Sequence, residues 1–216
     1  MFPRIKICCI ASVAEASMAI RYGASALGLV ARMPSGPGPI SDDLILTIAK
    51  AIPPPVASFL LTSETTAADI IRHHYRTHTN TLQLVDELSE RDYNAIRTAL
   101  PSVKIVQVIH VTGEASIDEA LEISGMADAL LLDSGNPTLA VKELGGTGRV
   151  HNWQLSRQIV EQSKIPVFLA GGLNENNVQE AIEKVNPYGL DLCSGVRTNG
   201  VLDERKLERF FKAAGL

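Results

Sequence analysis

Two glycine turns in the last quarter of the chain, Ala170-Gly171-Gly172 and Cys193-Ser194-Gly195, each close a short apolar run. Glycine lets backbone N–H groups approach an anion without an intervening side chain, and a helix beginning just beyond adds a favourable dipole. Occurring one structural unit apart, the two turns predict a phosphate cradle made by Gly171, Gly172, Ser194 and Gly195. A cradle holds a substrate without transforming it, so acid–base groups are needed around the same mouth. Cys8 and Asp133 are the candidates, each at the end of an apolar run. Strand alternation lets only one of the adjacent Cys8 and Cys9 face inward, and a strand cysteine alone is more often a small core hydrophobe than a catalytic group. A carboxylate after Ala129-Leu130-Leu131-Leu132 is harder to place without function, because burying it costs desolvation unless hydrogen bonds or chemistry retain it. His74 and His78 have the i, i+4 spacing of a metal pair but sit in a polar helical stretch, so a solvated helix face is expected there and no metal site. His110 either lines the mouth or ends its strand, and Trp153 reads as a helix anchor.

These residues need a frame that brings distant segments to one mouth. Runs rich in Ile, Val and Leu recur at Arg4 to Ile10, Ala26 to Ala31, Val56 to Leu61, Thr81 to Val85, Lys104 to Val111, Ala127 to Asp133, Pro166 to Ala170 and Gly189 to Cys193. Each is followed by a polar turn and a stretch of helical period, the pattern of βα units. Helices are predicted to start near Ser12, Ser41, Thr65, Ser89, Ser116, Asn152, Asn174 and Asp203, all side chains able to cap free helical N–H groups. Eight such units in one domain spanning residues 1–216 predict an α/β fold, a single (β/α)8 TIM barrel, rather than an open sheet, which usually stops at five or six strands. Loops after the strands of such a barrel form its catalytic face. The Pro- and Gly-rich Arg32 to Ile40 and the long Ser134 to His151 are therefore expected over the site.

Composition narrows the function. Of 216 residues, 45% are hydrophobic and 20% charged, ordinary for a globular chain, and a net charge of −4 with scattered basic residues argues against nucleic acid as a partner. No window approaches the length of a membrane span, and a cytoplasmic location is expected. Three cysteines without CxxC spacing make neither a disulfide framework nor a zinc site. No metal or organic cofactor is expected; the partner is a small phosphorylated substrate, and no oligomeric state is assigned.

Lys6-Ile7-Cys8, Gly145-Gly146-Thr147-Gly148 with Trp153 behind it, Ala170-Gly171-Gly172-Leu173-Asn174 and Asp191-Leu192-Cys193-Ser194-Gly195-Val196 occur in this order. Together, from about Lys6 to Phe211, they resemble the phosphoribosylanthranilate isomerase family of tryptophan biosynthesis. The resemblance implies an Amadori rearrangement of an aminoaldose to an aminoketose, with Cys8 as base and Asp133 as acid. Those roles require a thiolate at Cys8 and a neutral carboxyl at Asp133 when turnover begins. It further implies phosphate on Gly171, Gly172, Ser194 and Gly195, and a loop over the substrate that includes Gly146 and Thr147.

The sequence also departs from the family pattern. Met33-Pro34-Ser35-Gly36-Pro37-Gly38-Pro39 carries no basic residue where the family has an arginine for the anthranilate carboxylate. Arg32 and Arg197 are the candidate replacements. Cys9 stands in place of a glycine, and Val85-Asp86 in place of His-Gly. Two rival readings therefore stand beside the isomerase: an isomerase or epimerase of another sugar phosphate, and a barrel that binds a phosphorylated ligand without catalysis.

Overall fold

The computed structural model describes residues 3–135 and 150–216 of the chain. Eight parallel strands, β1 (Arg4–Ile7), β2 (Ala26–Val30), β3 (Ala57–Thr62), β4 (Thr81–Leu84), β5 (Lys104–His110), β6 (Ala129–Asp133), β7 (Val167–Leu169) and β8 (Gly189–Leu192), close into a barrel in sequence order, with β8 pairing back to β1. The helices alternate with them: α1 (Val13–Arg21), α2 (Asp42–Ala51), α3 (Ala67–Thr77), α4 (Glu90–Ala99), α5 (Ala115–Ile123), α6 (Trp153–Gln162), α7 (Val178–Val185) and α8 (Glu204–Ala213). A short 3-10 turn (Ser194–Val196) and a small hairpin of β9 (Arg197–Thr198) and β10 (Val201–Leu202) lie between β8 and α8.

The two-residue period of the strands sorts their side chains into two packed layers. Ile5, Ile7, Leu27, Leu29, Leu130 and Leu132 belong to the large cluster shared with the helices. Ala26, Val30, Val106, Val108, Ala129 and Leu131 form a second cluster inside the barrel. Asp133 follows the parity of Ala129 and Leu131, and Cys8 the parity of Lys6, so both point inward. Of the two adjacent cysteines, Cys8 is the one that alternation aims at the barrel axis.

Most element positions follow the sequence reading, and the differences have local causes. Ser12, Ser41, Ser89, Asn152 and Asp203 cap their helices by accepting backbone N–H bonds. For α3 the cap is Thr66, not Thr65. Helix α5 starts at Ala115, one residue before Ser116, behind a Glu114 that makes no side-chain cap, because the Ser116 hydroxyl is engaged with the His110 carbonyl and the Thr112 N–H. Helix α7 starts at Val178 rather than near Asn174, which with Asn177 donates side-chain hydrogen bonds to the Gly172 carbonyl and shapes the turn instead. Strand β1 ends at Ile7, short of Ile10, because Cys9 has a left-handed backbone with φ of 61°.

Candidate active site

One cavity opens at the C-terminal ends of the strands. Its lining includes Cys8, Cys9, Gln83, Asp133, Gly171, Gly172, Asp191, Cys193 and Ser194, together with Met33, Ser35, Gly36 and Pro37 of the loop after β2. It spans about 680 Å³ of space including its opening to solvent. Strands β1 and β6 are not neighbours in the barrel, so the closed sheet is what brings Cys8 and Asp133 to one chamber.

Asp133 is buried at the end of β6, with the Ser134 backbone N–H donating to its Oδ1 at 2.7 Å. Burial pushes its carboxyl up to about 6; the Ser134 bond and Lys6 pull down, while Asp191 pushes further up. Both protonation states are therefore within reach near neutrality. At the bottom of the chamber the fully buried Lys6 donates to Asp191 at 2.8 Å. Burial works against the Lys6 ammonium, but Asp191 and the two thiols at Cys8 and Cys9 outweigh it and hold its pKa above the ordinary value. A Cβ on Gly28 would lie 2.8 Å from Cys8 Sγ and 3.0 Å from Lys6 Nζ. Thiol and ammonium thus converge on one point, and only glycine on β2 leaves them room.

The glycine turns occupy the same rim. Gly171 and Gly172 have φ of 86° and 63°, conformations that a side chain would strain. A Cβ on Gly195 would run into the Leu173 carbonyl, so glycine there allows the two turns to touch. Among the described residues, the backbone N–H groups of Gly171, Gly172, Ser194 and Gly195 donate to no protein acceptor, which leaves them for an anion. Gly146 and Thr147 lie outside the described residues.

The arginine candidates separate. Arg32 is exposed at the end of β2, beside cavity-lining Met33. Arg197 does not fit the expectation of a carboxylate clamp. It is buried, with its guanidinium on Glu15 at 3.1 Å and on the carbonyls of Cys8 and Cys9 at 3.1 and 2.6 Å. Burial alone would raise the Glu15 carboxyl, yet Arg197 and the backbone N–H groups of Leu202 and Ala11 hold it below the usual range. This pair braces the turn after β1 rather than offering charge to a ligand.

Three residues had gone without a role in the sequence reading. Lys6 and Asp191 appeared there only as parts of motifs, although a lysine followed by apolar strand residues already signals a buried partner. Gln83, inside the apolar β4, is 3% exposed, and its Oε1 has no partner among the described residues. His74 departs from the expected solvated face: it is buried and its Nε2 pairs with the Thr79 carbonyl at 2.8 Å, while His78 is exposed as the left-handed cap of α3. His110 ends β5 in register with Asp133, and Trp153 opens α6, partly buried against the core.

A family model described as N-(5'phosphoribosyl)anthranilate (PRA) isomerase matches residues 5–213. The chain is 37% identical over 213 residues to N-(5'-phosphoribosyl)anthranilate isomerase 2 of Methanosarcina mazei, covering 98% of this chain and 93% of that one. It is 33% identical to the isomerase of Methanosarcina acetivorans, covering 97% and 92%. Among solved structures, phosphoribosyl anthranilate isomerase from Thermotoga maritima superposes with a TM-score of 0.82 at 27% identity, over 99% of this chain and 100% of that chain. A phosphoribosyl anthranilate isomerase in complex with reduced 1-(o-carboxyphenylamino)-1-deoxyribulose 5-phosphate gives the same TM-score at 25% identity, with the same coverage. Matched along nearly its whole length by sequence and by fold, the chain belongs to the phosphoribosylanthranilate isomerase family.

Proposed function

We propose that the protein isomerises N-(5'-phosphoribosyl)anthranilate to 1-(2-carboxyphenylamino)-1-deoxyribulose 5-phosphate, with Asp133 as general acid and Cys8 as general base. The observation that carries this reading is that Cys8, Asp133 and two glycine turns, whose N–H groups meet no acceptor among the described residues, line one cavity in a chain of this family. The neutral Asp133 carboxyl gives its proton to the ring oxygen as the bond from C1 to that oxygen breaks, leaving an open-chain protonated Schiff base. The Cys8 thiolate then takes the C2 proton, and its electron pair moves to form the enolamine, which tautomerises to the ketose. Lys6 lies beside the Cys8 thiol and favours the negative charge on the spent carboxylate. The phosphate is held by the amides of Gly171, Gly172, Ser194 and Gly195.

The test is turnover of freshly generated substrate by the wild type, Cys8→Ala and Asp133→Asn. Loss of one general acid or base lowers kcat by roughly 10²–10⁴-fold. The pH–rate profile of the wild type should show an inflection near pH 6 that Asp133→Asn lacks. No turnover by folded wild type rejects the assignment.

One observation favours a second reading, isomerisation or epimerisation of another phosphorylated sugar. The 33–39 loop has no basic residue, and Arg197 is committed to Glu15, so of the two candidate arginines Arg32 is the one still available to the anthranilate carboxylate. Product analysis on phosphoribosyl amines with and without a carboxylate separates the two. If Arg32 holds the carboxylate, Arg32→Ala raises KM for the carboxylated substrate alone.

A further inference from the structure

Cys9 and Cys193 take no part in the acid–base chemistry above, yet their Sγ atoms lie 2.7 Å apart across the seam where β8 closes on β1. Strand register alone would set Cys193 opposite Cys8, since Lys6 pairs with Asp191 and Ile7 with Leu192. The left-handed backbone at Cys9 instead turns its thiol onto Cys193. That turn is fixed from two sides. Arg197 holds the carbonyls of both Cys8 and Cys9, and Gly38 of the loop after β2 packs so closely on Cys9 that a Cβ there would lie 2.6 Å from the Cys9 Cβ. The two sulfurs therefore face each other without any rotamer search.

We propose that Cys9 and Cys193 form a reversible oxidation site at the barrel mouth, closed by a peroxide-class two-electron oxidant into a disulfide that staples β1 to β8. Both cysteines line the open cavity; Cys193 is the partly exposed member and Cys9 the buried one. The bond from the Cys9 thiol and the Arg197 charge also favour the thiolate at Cys193, while donating that bond pushes the Cys9 thiol up. Cys193 thiolate attacks one peroxide oxygen, expels hydroxide and becomes a sulfenic acid. Cys9 sulfur then displaces the sulfenic oxygen, forming the S–S bond. With the two thiol protons, the two oxygens leave as two waters, so two thiols and one hydrogen peroxide give one disulfide and two waters. The sulfurs need to close by less than 1 Å to reach the ~2.0 Å of a disulfide. The bridge joins the first strand to the last and so encloses nearly the whole chain, the geometry in which a cross-link restrains the unfolded state most.

Peptide mapping tests this without reference to any substrate, so it stands or falls separately from the isomerase assignment. Protein treated with stoichiometric hydrogen peroxide, alkylated and digested with trypsin should yield a species joining residues 7–21 to residues 185–197, two hydrogen masses lighter than the separate peptides and released by dithiothreitol. Because Cys8 and Cys9 share a peptide, the species must persist in Cys8→Ser and vanish in Cys9→Gly, a residue suited to φ of 61°. The oxidised wild type should also melt about 10 °C above its reduced form, a difference absent in Cys9→Gly. A bridge between Cys8 and Cys9, a bridge that disappears in Cys8→Ser, or sulfinic acid at Cys193 with no cross-link would each overturn the proposal.

Discussion

The two ends of the barrel are built from the same strands but solve opposite problems. At the N-terminal end aromatic rings pack on one another: Phe59 meets Phe168 edge-on at 6.1 Å, and Phe168 meets the exposed Tyr188 at 5.5 Å. Gly189 makes this fit, since a Cβ there would lie 2.5 Å from the Phe168 ring. On the rim at that end Asp128 pairs with Arg97 at 3.3 Å and with Lys104 at 3.6 Å. At the C-terminal end the interior holds a carboxyl with a raised pKa, a Gln83 oxygen without a partner among the described residues and three thiols around a cavity. Groups that would be liabilities in a core are concentrated where a ligand supplies the missing contacts. Lys6 stands between the two worlds, its ammonium 5.2 Å from the centre of the Phe59 ring below and bonded to Asp191 above.

That boundary is the most sensitive point at which to test the division. Lys6→Met leaves Asp191 buried without its cation, and breaking a buried pair costs about 3–5 kcal/mol. Chemical denaturation should show that loss, and turnover should fall too, because Cys8 loses the same charge. A Lys6→Met variant that kept full stability would show that the boundary is not held by this pair. Phe168→Ala removes the central ring of the aromatic end and should cost about 3–4 kcal/mol. The folded fraction should keep kcat within about twofold, since Phe168 lies in the layer remote from the cavity lining. A large kcat loss in properly folded Phe168→Ala would mean that the ends are coupled, and the comparison would have to be abandoned.

The barrel was legible because its signals are local: apolar runs of strand length and capping residues at helix starts repeat eight times. The inward carboxyl was legible for the same reason, as Asp133 breaks an apolar run with fixed parity. What escaped depends on contacts between distant parts of the chain. Glu15 and Arg197 are 182 positions apart, and nothing near either residue announces the other. The same holds for the Lys6–Asp191 pair and for Cys9 facing Cys193, which also needs a left-handed backbone at a non-glycine residue. Misplaced helix starts share a cause as well. Ser116 and Asn174 are good caps by type, but both spend their polar atoms on neighbouring turns.

The smallest predicted effect carries the sharpest sign. Asp133 titrates near 6 when folded, against about 3.8 for the free side chain, so the native state binds this proton more tightly than the unfolded chain. The protonated form contributes stability in full below about pH 4, and that contribution is lost as pH rises through 6. Above pH 6 the enzyme therefore carries a buried carboxylate at a cost of about 2–3 kcal/mol, on the order of the linkage for a two-unit shift. Asp133→Asn removes the charge while keeping the shape. It should be more stable than wild type by about that amount at pH 7.5, measured by urea denaturation, and the gap should close on going to pH 4. The same substitution abolishes the proposed acid, so stability and turnover move in opposite directions at one residue of the C-terminal end. Equal stability of the two proteins at pH 7.5 would mean that the Asp133 carboxylate is compensated in the fold, and the mouth would then be no more strained than the aromatic end beneath it.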